Sequence, residues 1–279
     1  MLPDVVERSM RKLCTSLVMN NFNVEAVYIY GSVALGDYIE GSSDIDFITL
    51  LRELPSNTDI HILSNIHAEI DQEFPDLEMM GAYIHVDDVG KSQDEMNAFW
   101  TYYDKKVHSD GYAADINPVT WWILQHYGIR LYGLSHSFHF EIRVKALMDY
   151  VVGNLNTYWI NWIERLEEQL RSSFISDEES MKKKMDEAVE WCTLGMLRQL
   201  YTLKEQAVKS KVEAGLYGLA IIPNSWHSLI HEAIHIKRLE TERYYNSNEA
   251  RLKDLVELLR YIHSEANRIF YDSKHVEQY

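Results

Sequence analysis

Two aspartates, Asp44 and Asp46, stand one residue apart at the head of the run Asp44-Ile45-Asp46-Phe47-Ile48-Thr49-Leu50-Leu51. Its β-branched and aromatic content predicts a strand, and alternate residues of a strand project to one face. The two carboxylates are then side by side, and they repel each other unless a cation lies between them. Magnesium suits such a pair, because it is a hard ion held by one or two carboxylates together with the oxygens of a nucleoside triphosphate. Upstream, Gly31-Ser32 breaks a predicted strand over residues 24–30. Gly31 lets the backbone turn tightly and come close to phosphate. Ser32 adds a hydroxyl and a backbone N–H to an anion-accepting nest. Each piece is common alone; the ordered set is specific.

Positioning these groups requires a sheet, and the sequence supplies one. Val6, Met10, Leu13 and Leu17 recur at helical spacing and predict a helix over residues 4–22. Strands are expected at 24–30, 44–51 and 79–86, with a helix from Asn57 to about Phe74. Asn117-Pro118 opens a short aromatic helix that Gly128 closes. From about residue 138 the pattern is helical throughout, with helices expected at 140–171, 178–207, 211–221, 225–243 and 248–272. The expected fold class is α+β: a mixed domain over residues 1–135, then an all-α domain over 136–279.

The chain has 279 residues and is 46% hydrophobic, enough for packed cores in two domains. Its 43 acidic and 27 basic residues give a net charge of −16, which disfavours polynucleotide phosphates and favours small cations. No nucleic-acid or membrane partner is expected, and the chain is read as a monomer. Cys14 and Cys192 fit core positions and no disulfide framework. With no signal-peptide pattern or long apolar run, the expected location is cytoplasmic.

The Gly-Ser and Asp-x-Asp set resembles the active-site signature of the polymerase β-like nucleotidyltransferase superfamily. That resemblance implies a small mixed sheet with helices on one side and two-metal phosphoryl transfer. Asp115-Ile116-Asn117-Pro118 through Gly133, then Leu197-Arg198, Ser210-Lys211-Val212-Glu213-Ala214, Pro223 and Trp226 follow in the order found in streptomycin/spectinomycin adenylyltransferases. The resemblance implies transfer of AMP from ATP to a hydroxyl of a small cationic acceptor such as an aminoglycoside antibiotic, as in antibiotic resistance. ATP and magnesium are expected between the domains. Asp44 and Asp46 would hold metal, Gly31 and Ser32 the phosphates, and Arg198 and Lys211 the triphosphate charge. Ser210 and Glu213 form a capping box, which sets Lys211 in a first helical turn, where the amides already favour anions.

The general base is carried over as Glu78, although an ungapped match on the third strand puts Met80 at that position. A shift or bulge of the strand would reconcile the two. The acid that contacts the antibiotic in the resembled family falls on Ala188, among Asp186, Glu187 and Glu190. Trp159, Trp162 and Trp191 are candidate walls of an acceptor cleft, although helix-spaced aromatics are more often core. His231-Glu232-Ala233-Ile234-His235 matches the zinc peptidase pattern His-Glu-x-x-His, a low-information match in a segment expected to be a structural helix. Two other readings stay open: a nucleotide-binding protein with lost or weak transfer, and adenylylation of a protein partner.

Overall fold

The computed structural model describes residues 2–112, 115–133, 143–172 and 179–276. The chain divides into two compact units, Met1–Ile142 and Arg143–Tyr279. The domain boundary expected at 135/136, and the first residues of the helices expected from 140 and 178, lie outside the described residues.

The first unit is a six-stranded mixed sheet. In chain order its elements are α1 (Asp4–Met19), β1 (Val24–Ile29), α2 (Gly31–Ala34), β2 (Ile45–Leu51), α3 (Asn57–Glu73) and β3 (Met79–His85). They are followed by β4 (Trp100–Tyr103), β5 (Lys106–His108), α4 (Pro118–Tyr127) and β6 (Ile129–Gly133). The strand order is β5-β4-β3-β2-β1-β6, in which only β2 and β3 run parallel. Helices α1 and α3 cover one face. Val6, Met10, Leu13 and Leu17 from α1 and Leu63, Ile66 and Ile70 from α3 pack with Val27, Ile29, Ile45, Phe47, Met79 and Tyr83 of the strands. The cap of α3 is Ser56 rather than Asn57: Ser56 and Asp59 satisfy each other's backbone amides, one residue earlier than the sequence suggests. Asn117 caps α4, accepting from the amides of Val119 and Thr120, and Gly128 ends it.

The parallel pairing of β2 with β3 depends on Gly81. It lies opposite Phe47, and a Cβ there would come within 2.3 Å of the Phe47 ring. Gly81→Ala should therefore destabilise the protein by about 1–3 kcal/mol, as overpacking does. A denaturant midpoint equal to that of the parent would contradict this packing.

The second unit is all helix. Its elements are α5 (Val144–Asn154), a π-helical turn (Leu155–Trp159), α6 (Ile160–Arg171), α7 (Glu179–Glu205), α8 (Lys211–Ile221), α9 (His227–Lys237) and α10 (Asn248–Val276). The long α7 packs against α8, α9 and α10. Leu252, Leu255, Leu259 and Ile262 form the buried stripe of α10. Gly215 and Gly218 bring α8 close to α7, since a Cβ at either would lie 2.9 Å from Leu194 or Leu197. Helix α9 ends at Lys237, short of the expected residue 243. Both cysteines are buried, and burial raises their thiols to about 11 at Cys14 and about 12 at Cys192. No described helix is long and apolar enough to cross a membrane.

Candidate active site

The first unit gathers the Gly-Ser turn against the aspartate strand. The backbone leaves β1 at Tyr30, whose N–H donates to the Asp46 carbonyl at 3.0 Å. Gly31 then adopts φ +61°, which only glycine takes readily. A Cβ at Gly31 would fall 1.8 Å from Asp46 Oδ2. The close approach predicted for Gly31 is thus made to the carboxylate itself, which occupies the place that a side chain at this position would need. Ser32 follows in α2, whose first amides have no acceptor within the helix. The Tyr30 hydroxyl is buried; burial, then the carboxylates of Asp46 and Asp115, hold its pKa well above the ordinary value.

The pairing of β2 with β3 is continuous, with Ile45 opposite Met79 and Asp46 opposite Met80. The bulge or shift that would move Glu78 next to Asp46 is absent, and Met80 stands there. Glu78 is two residues earlier, level with Asp44; its carbonyl accepts from the Ile45 amide at 2.9 Å. Its side chain is 58% exposed and lies 3.7 Å from Lys105 Nζ. Asp44 and Glu78 both line a cavity of about 430 Å³, together with Tyr38, Glu40, Ser43 and Asp76. Burial and the carboxylates of Glu40 and Asp44 raise the Tyr38 hydroxyl. Tyr30, Tyr38 and Ser43 had no signal in the sequence beyond lying near the motif. The loop that carries Ser43 is closed by its amide donating to the Ile39 carbonyl at 2.8 Å.

In the second unit, Ser210 caps α8 as expected, accepting from the Glu213 amide at 3.1 Å. Lys211 is engaged: its Nζ lies 2.8 Å from Glu190 Oε1 and 4.5 Å from the centroid of the Trp191 ring. Arg198 is half-buried on α7. Asp186 is taken up in structure, paired with Arg243 at 2.8 Å and Arg251 at 2.6 Å. Burial alone would raise its pKa; the two guanidinium groups outweigh that and lower it. Trp159 is core, whereas Trp191 is 41% exposed.

Two family models divide the chain as its two units do. The polymerase beta nucleotidyltransferase model matches residues 12–80, which include Gly31, Ser32, Asp44, Asp46 and Glu78. The aminoglycoside adenylyltransferase C-terminal domain model matches residues 163–261, which include Arg198 and Lys211. The chain is an aminoglycoside adenylyltransferase-like member of the polymerase β nucleotidyltransferase superfamily. The fold of this nucleotidyltransferase is also similar to that of the Enterococcus faecialis spectinomycin adenyltransferase solved with ATP and spectinomycin. The TM-score is 0.60 at 14% identity, covering 93% of this chain and 98% of the other. No curated protein matches the sequence.

The zinc-peptidase pattern has a structural explanation in this adenylyltransferase-like chain. Glu232 is fully buried, forms an ion pair with Arg251 and accepts from the Tyr244 amide at 2.7 Å. A glutamate so committed cannot serve as a base. Among the described residues, no group of three or more His, Cys, Asp or Glu is arranged to hold a metal ion.

Proposed function

We propose that this nucleotidyltransferase moves AMP from ATP to a hydroxyl of a small, cationic acceptor of the aminoglycoside type and releases pyrophosphate. The observation that carries the reading is the Asp46 carboxylate seated against Gly31, two residues after Asp44, inside the segment that matches the nucleotidyltransferase model. The Asp44 carboxylate at the entrance to β2 and the Asp46 carboxylate within it suit a magnesium ion that also takes phosphate oxygens. Magnesium bound by Asp44 and Asp46 would neutralise charge on the phosphates and orient them.

This chain's own residues account for the rest. Gly31 and Ser32 offer backbone amides and a hydroxyl to the phosphates. Arg198 and Lys211 supply positive charge to the triphosphate, as phosphoryl transfer requires. The acceptor oxygen bonds to the α-phosphorus as the bond to the bridging oxygen of the β-phosphate breaks, and pyrophosphate leaves. Glu78, two residues before the Met80 that faces Asp46 and level with Asp44, takes the proton from the attacking hydroxyl. The spectinomycin bound by the structural neighbour supports an aminocyclitol acceptor, and the −16 net charge is compatible with a cation.

The test is pyrophosphate release from Mg-ATP, with spectinomycin and streptomycin offered separately. Release should depend on the acceptor. Glu78→Gln should lower kcat by about a hundredfold or more while ATP affinity holds, as loss of a general base does. Met80 beside Asp46 favours one second reading, a nucleotide-binding protein with weak transfer. ATP binding without release from either acceptor would select it.

A further inference from the structure

We propose that the cavity between α1 and the edge strand β6 binds a small amphipathic carboxylate, an alkyl chain with one anionic end, which Arg130 holds by that end. The site is built from the first unit alone and is independent of nucleotide transfer.

Strand β6 is the last in the sheet order, so its outer side is an edge, and α1 packs alongside it. Between them lies a cavity of about 750 Å³, against about 430 Å³ beside Asp44. Cavities of roughly 300–1,000 Å³ suit small organic ligands. The pairing of β6 with β1 steps from Arg130 opposite Tyr28 to Tyr132 opposite Val27, which leaves Leu131 as a bulge. A regular strand turns successive side chains to opposite faces; here Arg130, Leu131 and Tyr132 all border the cavity.

The walls are apolar where they meet solvent. Val18, Met19 and Tyr132 are 42%, 77% and 37% exposed, and Leu2 and Leu131 continue the same wall. Large hydrophobic side chains gathered in water around a concavity mark a surface with a ligand to cover it. Charge decides which ligand. One carboxylate and two guanidinium groups line the cavity, and the carboxylate, Glu7, is taken by Arg11 at 2.5 Å. The Arg130 guanidinium is therefore in excess. Burial pushes the Cys14 thiol in the same wall up to about 11, so it stays neutral and adds no opposing charge. A chain of net charge −16 favours cations over most of its surface, and a locally positive apolar cavity runs against that field. A guanidinium receives a carboxylate through two parallel N–H donors, while the alkyl chain covers the apolar wall.

The experiment titrates the full chain by calorimetry with sodium decanoate, decyltrimethylammonium bromide and sodium acetate, the two amphiphiles below their micellar concentrations. Decanoate should bind at one site per chain. Decyltrimethylammonium, with the same tail and the opposite charge, should bind about tenfold more weakly or less. The net charge alone would give the reverse order, so the ranking discriminates. Acetate, which has no tail, should not compete. Arg130→Gln should weaken decanoate about tenfold and leave decyltrimethylammonium unchanged. Met19→Asp sets a charge in the apolar wall and should also weaken decanoate about tenfold. Met19 is exposed, so this second variant spares the core; circular dichroism melting verifies that both are folded. Absence of saturable decanoate binding, tighter binding of the ammonium, or equal decanoate affinity in both folded variants would overturn the site.

Discussion

Asp46→Asn should lower acceptor-dependent pyrophosphate release by about a thousandfold or more, the scale expected when a metal-holding charge is lost from a phosphoryl-transfer site. The substitution keeps the shape of the side chain and removes only its charge. Asp46 has Gly31 against its carboxylate and stands two residues after Asp44, so the neutral amide removes charge and leaves the packing intact. The melting temperature should therefore hold while activity disappears. Gly31→Ala approaches the same site by geometry. At φ +61°, alanine is strained, and its methyl would be driven into Asp46 Oδ2. Transfer should fall steeply even though both aspartates keep their charge. If Asp46→Asn retained a tenth of the parent rate, the carboxylate pair would lose its assigned role. If Gly31→Ala alone retained activity, the close packing of Gly31 on Asp46 would not be needed for phosphate binding.

Much of this arrangement was legible because it is written in local signals. Helix α8 was bounded correctly at 211–221 because Ser210 caps it and Pro223 follows, although the Glu213 carboxylate pairs with Lys209 at 3.0 Å rather than completing a capping box. The three long strands were placed to within a residue, since their β-branched runs are bounded by turns. Strands β4, β5 and β6 were not anticipated; at 4, 3 and 5 residues they are too short to show alternation. The helix expected over 140–171 is interrupted by the π turn, which no residue type announces. Helix α9 stops early for a tertiary reason. Arg243 turns back to Asp186 and the Tyr244 amide donates to Glu232, so the segment beyond Leu239, itself at φ +61°, leaves the helical path. The choice between Glu78 and Met80 was of the same kind. Alternation puts both on one face, and only the pairing of β3 with β2 decides which of them meets Asp46.

Arg251→Met should cost about 3–5 kcal/mol of stability, because removing one partner of a buried ion network strands the charges that remain. Arg251 is 5% exposed and sits between Asp186 and the fully buried Glu232. With it gone, Glu232 keeps the Tyr244 amide but faces no cation, and Asp186 keeps only Arg243. For a chain of this size the melting temperature should drop by on the order of 10 °C. Glu232→Gln combined with Arg251→Met should be less destabilised than Arg251→Met alone, since the stranded carboxylate is removed together with its partner. Acidity gives an independent reading. The Asp186 carboxyl is held below its ordinary 3.8 in the folded state, so its contribution is fully present above that value. It is lost as pH falls through the lowered folded value. The parent should lose stability over that acid range more steeply than Arg251→Met, which has already lost one of the two guanidinium partners. If Glu232 were instead the base of a zinc hydrolase, Arg251→Met would leave the melting temperature near that of the parent and the double variant would show no recovery. A large loss with partial recovery assigns the His-Glu-x-x-His segment to holding α7, α9 and α10 together.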